Sequence, residues 1–152
     1  MQVSGALRRR WPIIVPAVIV FLAISLVLAR WLSTEGEERD KVHQLLEAQA
    51  RGDAAAMLVQ LHGCDDAACR ATVARNARTL KRRGSVKIVS YESGTSYALG
   101  SATGDTRVAW TSLQQGLVEV QCVTVRRSGS VLTGRSVTLL RISAPIDRQG
   151  SC

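Results

Sequence analysis

Val73-Ala-Arg-Asn-Ala-Arg-Thr-Leu-Lys-Arg-Arg-Gly-Ser-Val-Lys-Ile-Val-Ser-Tyr91 is the stretch in which the hydrophobic period of this chain changes. Before Gly84, Val73, Ala77 and Leu80 recur at helical spacing, while Arg75, Arg78 and Arg82 cluster on nearly the opposite side. After Ser85 the period becomes two, and Val86–Tyr91 reads as a strand. Helices therefore precede strands instead of alternating with them. That order predicts an α+β domain with helices packed on one face of an antiparallel sheet.

Working toward the N-terminus, Val42, Leu45, Leu46 and Gln49 share one stripe of a first helix, which closes at Gly52. Asp53 is a good N-cap for a short second helix through Leu61, ended by Gly63. A third helix begins after the Cys64–Asp66 turn and runs to Arg82, with Gly84 as its stop. Toward the C-terminus, Gly94 turns the first strand back into Thr95–Gly100. The turn Thr103-Gly104-Asp105 leads into Arg107–Leu113. Leu117–Arg127 is the longest strand, and its apolar phase moves from Val118, Val120 and Cys122 to Val123 and Val125, the mark of a bulge or bend. Ser128-Gly129 turns into Val131–Ile142, and Pro145 ends the sheet. The expectation is three helices on a curved antiparallel sheet of four to five strands.

Ahead of this domain lies an apolar run from Pro12 to Ala29 whose only polar side chain is Ser25. Eighteen helical residues span about 27 Å, close to the hydrocarbon thickness of a bilayer. Trp11 and Trp31 bracket the run, and Arg8, Arg9 and Arg10 place the N-terminus on the cytoplasmic side. A cleaved secretory signal is the competing reading, with Val27-Leu28-Ala29 as its cleavage site, but the run exceeds the usual apolar region of such signals. The expected organisation is a cytoplasmic basic N-terminus (1–10), a transmembrane helix (11–32), a linker with a break at Gly36 (33–38) and an extracytoplasmic α+β domain (39–152). The location this implies is the cytoplasmic (inner) membrane, crossed once.

The net charge of +8 is unevenly spread. Residues 33–66 carry eight acids against three bases, a balance of −5, and residues 67–152 carry four acids against thirteen bases, a balance of +9. A basic exported surface meets anionic lipid headgroups, cell-wall polyanions or an acidic protein; nucleic acid is scarce there. No acid lies within residues 67–91. Arg75, Arg78 and Arg82 thus form a candidate partner-binding stripe, with the acids of residues 35–40 as an alternative, internal partner. The bland reading is a solvated helix face.

Cys64, Cys69, Cys122 and Cys152 all follow the apolar run, and an even count in an exported domain predicts two disulfides. Of three possible connectivities, Cys64–Cys69 with Cys122–Cys152 is preferred, because a turn can close the first pair and the second pins the C-terminal tail. A zinc site from His62, Cys64, Cys69 and His43 matches no tight spacing template.

The stretch Ala48-Gln-Ala-Arg-Gly-Asp-Ala-Ala-Ala-Met57 is similar to the junction of the first two helices in the cystatin-like α+β cone. That superfamily includes nuclear-transport-factor-2-like and SnoaL-type domains, and the order of elements resembles it over roughly residues 38–143. The chain also resembles bacterial single-pass proteins that carry one such domain outside the membrane, among them Mce-associated membrane proteins and the bitopic inner-membrane subunits of type IV secretion systems. For enzymes of this type the resemblance implies an acid or base deep between helices and sheet, for which His43, His62, Tyr91, Tyr97, Asp105 and Trp110 are the candidates. None sits in a pattern that chemistry requires: no triad-like spacing, no carboxylate couple and no phosphate loop is present. His43 reads as a structural histidine, Trp110 as core and Asp65-Asp66 as a helix cap. No catalytic, cofactor or metal residue is assigned. The expected function is a non-enzymatic, membrane-anchored interaction or assembly module of the bacterial cell envelope, with a protein partner there. The alternative is a small-molecule binder or isomerase-like enzyme that uses the cone cavity.

Overall fold

The computed structural model describes the backbone of residues 4–95, 101–130 and 134–152, and side chains within 14–29, 36–95, 101–129 and 136–152. The chain forms two compact units, Met1–Ser33 and Thr34–Cys152. The first holds the N-terminal part of helix α1 (Ser4–Arg51). Its described apolar side chains stand in the open, with Ile19, Phe21 and Leu22 at 60, 69 and 60% exposure. Among the described residues no helix is long and apolar enough to cross a membrane. The side chains of residues 8–13, 30 and 31, on which the basic flank and the bracketing tryptophans rest, lie outside the described set.

The second unit is α+β. It contains the rest of α1, α2 (Ala54–Gln60), α3 (Ala67–Thr79) and four antiparallel strands, β1 (Val86–Glu92), β2 (Ala102–Ser112), β3 (Val118–Ser130) and β4 (Gly134–Ile142), in the order β1-β2-β3-β4. Local chemistry sets the helix ends. The Asp53 carboxylate accepts from the Ala56 N–H at 2.9 Å, and that of Asp66 accepts from the Cys69 N–H at 2.7 Å, each satisfying a donor the helix cannot. Gly52 and Gly84 take the left-handed backbone (φ 79° and 87°) that lets the chain leave α1 and enter β1. The expected stripe Val42, Leu45, Leu46 and Gln49 is fully buried. Met57, Val73, Ala77 and Leu80 from α2 and α3 join it against Ile88, Val108, Trp110, Val123, Val125 and Leu139 of the sheet.

Several expected boundaries are corrected. Residues 33–38 are helical, without a break at Gly36, and Glu38 is wholly buried. The third helix stops at Thr79, short of Arg82. Thr103-Gly104-Asp105 lies inside β2, paired with Arg126, Val125 and Thr124. The pairing of β2 with β3 is unbroken from Ala102↔Arg127 to Thr111↔Val118. The irregularities are on the edge strands: Val89 is the extra residue opposite β2, and Leu140 is the extra one opposite β3.

The changing phase of β3 has another cause. Gln121, Val123, Val125 and Arg127 all point into the core. Val120 is buried from the other face by the C-terminal tail, where Ile146 N–H donates to Val120 O at 2.8 Å. Both faces of β3 are covered, so both carry apolar residues. Residues 96–100 and 131–133, where a further return strand and the start of the last one were expected, lie outside the described residues.

Candidate functional site

Both disulfides form in the expected pairs. Cys64 and Cys69, with Cα atoms 5.3 Å apart, close the turn before α3, and Cys122 and Cys152 (5.6 Å) tie the tail to the outer face of β3. No cysteine is free. The sulfurs of Cys64 and Cys69 are thereby committed to each other, and among the described residues no group of three His, Cys, Asp or Glu side chains is arranged to hold a metal ion.

The basic stripe is only partly as expected. Arg75 and Arg78 are exposed on α3, and the Arg78 Nε donates to Ala74 O within its own helix. Arg82 is different. Its side chain is 16% exposed, its Nη2 pairs with Glu119 Oε1 at 2.9 Å, and its Nη1 donates to the carbonyls of Thr79 and Lys81. It is a C-terminal cap locked to the sheet, which removes it from the stripe. The carboxylate that neutralises it comes from β3, far away in sequence, and so escaped a count of acids at helical spacing.

The same end of the unit gathers other cations. Arg82 N–H donates to Ala50 O at 2.9 Å, and a side chain at Gly52 would meet Lys81 Cδ at 3.1 Å, so the C-terminal ends of α1 and α3 lie side by side. Arg51, Lys81, Arg83 and Lys87 are exposed around this junction, and none has an ion pair among the described residues. A shallow groove of 170 Å³ lies at this junction, lined by Glu47, Arg51, Arg82, Ser85 and Val86.

Of the residues considered for chemistry, Trp110 is fully buried and its Nε1 donates to Gln121 Oε1 at 2.9 Å. Gln49 Nε2 donates to the same oxygen at 2.8 Å, and Gln121 Nε2 reaches Ser143 O at 3.0 Å. His43 Nε2 lies 3.0 Å from Val86 O, a structural contact as expected. His62 and Asp105 are exposed, and Tyr97 lies outside the described residues. No two of His43, His62, Tyr91 and Asp105 hydrogen-bond to each other among the described contacts.

Tyr91 leads instead to a centre that sequence reasoning missed. Its hydroxyl donates to Glu38 Oε1 at 2.7 Å; Thr106 donates to the same oxygen at 2.7 Å, and Thr95 donates to Oε2 at 3.0 Å. Arg127 closes the cluster, with Nε at 2.8 Å and Nη2 at 2.6 Å from Glu38 Oε2. Both ionic side chains are buried, at 0 and 1% exposure, and Ser93 adds a further hydroxyl. Burial by itself raises the pKa of Glu38, but hydrogen bonds from Tyr91, Thr106 and Arg127, together with the Arg127 charge, outweigh it and hold the carboxyl below its ordinary range. For Tyr91, burial and the neighbouring Glu38 carboxylate push the phenol well above its usual value. The carboxylate is saturated with donors and closed to solvent, which suits a structural lock and leaves no room for a substrate.

No protein family, no curated protein and no solved structure matches this chain.

Proposed function

We propose that this chain is a membrane-anchored extracytoplasmic interaction module of the bacterial cell envelope, without catalysis of its own. The observation that carries the reading is the close packing of the core among the described residues. Where a cone enzyme keeps a cavity, Leu45, Leu46, Gln49, Met57, Trp110 and Gln121 are all fully buried against one another. What the unit offers a partner is therefore its surface. The cystatin-like resemblance fits the helix-on-sheet layering and stays part of the proposal.

The anchor is supported by the apolar run Pro12–Ala29, whose described side chains are helical and uncovered, a state that costs free energy in water and none in hydrocarbon. Two disulfides agree with an oxidising compartment on the far side of that membrane. Alkaline carbonate extraction of membranes from expressing cells tests the anchor: the chain stays in the pellet, and a variant lacking residues 12–29 goes to the supernatant. Release of the intact chain overturns the reading.

A further inference from the structure

The tip of the β2–β3 hairpin carries an apolar feature that the fold has no internal use for. Leu113 and Leu117 are 66 and 58% exposed, and Gln114, Gln115 and Gly116 between them are exposed as well. The turn is tightly built. The N–H groups of Gln115 and Gly116 both donate to Ser112 O, at 3.2 and 3.1 Å, and Gly116 takes φ 65° with nothing around it. Leu113 N–H is fixed to Ser85 O at 3.2 Å, and the Ser112 hydroxyl donates to Arg83 O. The two leucines are thus held out into solvent by a preorganised turn.

Two exposed cations stand beside the tip in the fold. Arg83 lies beside the tip through that serine contact, and Lys87 pairs with Thr111 one register step behind it. Arg51 and Lys81 lie at the ends of α1 and α3, which Arg82 ties to β3 through Glu119. Of the nearby acids, Glu119 is taken up by Arg82, which leaves Glu47 against Arg51, Lys81, Arg83 and Lys87, unpaired among the described residues, a local excess of positive charge.

We infer that this tip docks onto an anionic bilayer surface, with Leu113 and Leu117 entering the interface and the flanking Arg83 and Lys87 meeting lipid phosphates. Size decides between a bilayer and a protein. Two leucines on a protruding five-residue turn fall far short of the roughly 1,000 Å² that a specific protein interface needs. A projecting apolar pair flanked by Lys and Arg is what binding at an anionic membrane interface requires. The inference rests on the interaction-module reading and names its partner surface.

The experiment uses the full chain in nanodiscs of phosphatidylcholine, floated with vesicles of phosphatidylcholine with or without phosphatidylglycerol. Anionic vesicles should capture the discs and neutral vesicles should not. Leu113→Ser combined with Leu117→Ser should cut capture roughly tenfold or more. Arg83→Gln with Lys87→Gln should weaken it and flatten its salt dependence. Unaltered thermal unfolding of both variants shows that the fold is kept. Capture that is absent, or unchanged in the leucine variant, overturns the inference, as does self-association of discs through the tip without vesicle binding, which would assign it to a second copy. A chain that never enters discs counts against the anchor alone, and the same flotation on the free chain then decides the tip.

Discussion

Glu38 is the residue on which the second unit turns. It lies among the acids of residues 33–38, a segment that reads as a linker, yet its side chain is the most densely hydrogen-bonded carboxylate described in the chain. Removing one partner strands the other in a medium that cannot solvate it. Arg127→Met should therefore destabilise the unit by about 3–5 kcal/mol. Adding Glu38→Gln to that variant should recover part of the loss, and a double-mutant cycle from urea unfolding measures the coupling. Strictly additive losses would show that the two charges do not sense each other.

The pH dependence follows from the same contacts. Because the folded-state pKa of Glu38 is lowered, its contribution is present above the unfolded value and is lost as pH falls below about 5 and through the depressed folded value. The raised pKa of Tyr91 acts in reverse: its contribution is intact below about pH 10 and is lost as pH climbs toward the folded value. Urea midpoints should form a plateau between these limits, and Glu38→Gln should flatten the acid side.

Gly94 and Gly104 make the lock possible. A Cβ on Gly94 would stand 2.3 Å from Asp105 O, and one on Gly104 would stand 2.6 Å from Gly94 O. This close approach lets Ser93 and Thr95 fold over the carboxylate, and Gly94→Ala should cost on the order of 1–3 kcal/mol. A thermal midpoint equal to wild type would contradict that packing.

At the scale of elements, the two disulfides differ in what they hold. The Cys122–Cys152 bond spans 30 residues and covers the outer face of β3 with a tail that otherwise relies on Ile146 and on Arg107, whose Nε donates to Gly150 O at 2.9 Å. In the loop-entropy account its loss should cost roughly 3.5–4 kcal/mol, against about 2 for the five-residue separation of Cys64–Cys69. Comparing Cys152→Ser with Cys64→Ser by thermal unfolding checks the order, and a reversed order would place the weight on the turn.

Elements were the legible part of this sequence. Caps at Asp53 and Asp66, the stop at Gly52 and the change of period at Ser85 each depend on neighbours within a few residues. What escaped was long-range. Glu38 and Arg127 are 89 positions apart, and Arg82 and Glu119 are 37 apart, so neither pairing leaves a periodic trace. The same limit explains β3: Gln121 and Arg127 flank Val123 and Val125 on the inner face, and a polar residue on an inner face reads from sequence as an outer one. Arg127 did carry one signal, its place in the two-residue rhythm of Val123 and Val125, which a reading by hydrophobicity alone discards.

At the scale of the whole molecule, the arrangement divides the work. An apolar helical segment with uncovered side chains begins the chain. A unit closed by a charged lock and two disulfides follows, with Arg51, Lys81, Arg83 and Lys87 exposed near the ends of α1 and α3. The central claim is that residues 12–29 hold the chain in a membrane with the second unit on the outer side. C-terminal fusions to alkaline phosphatase and to a fluorescent protein that matures only in the cytoplasm test it in one pair of strains. The account predicts an active phosphatase and a dark fluorescent fusion. A bright fluorescent fusion with an inactive phosphatase would contradict it.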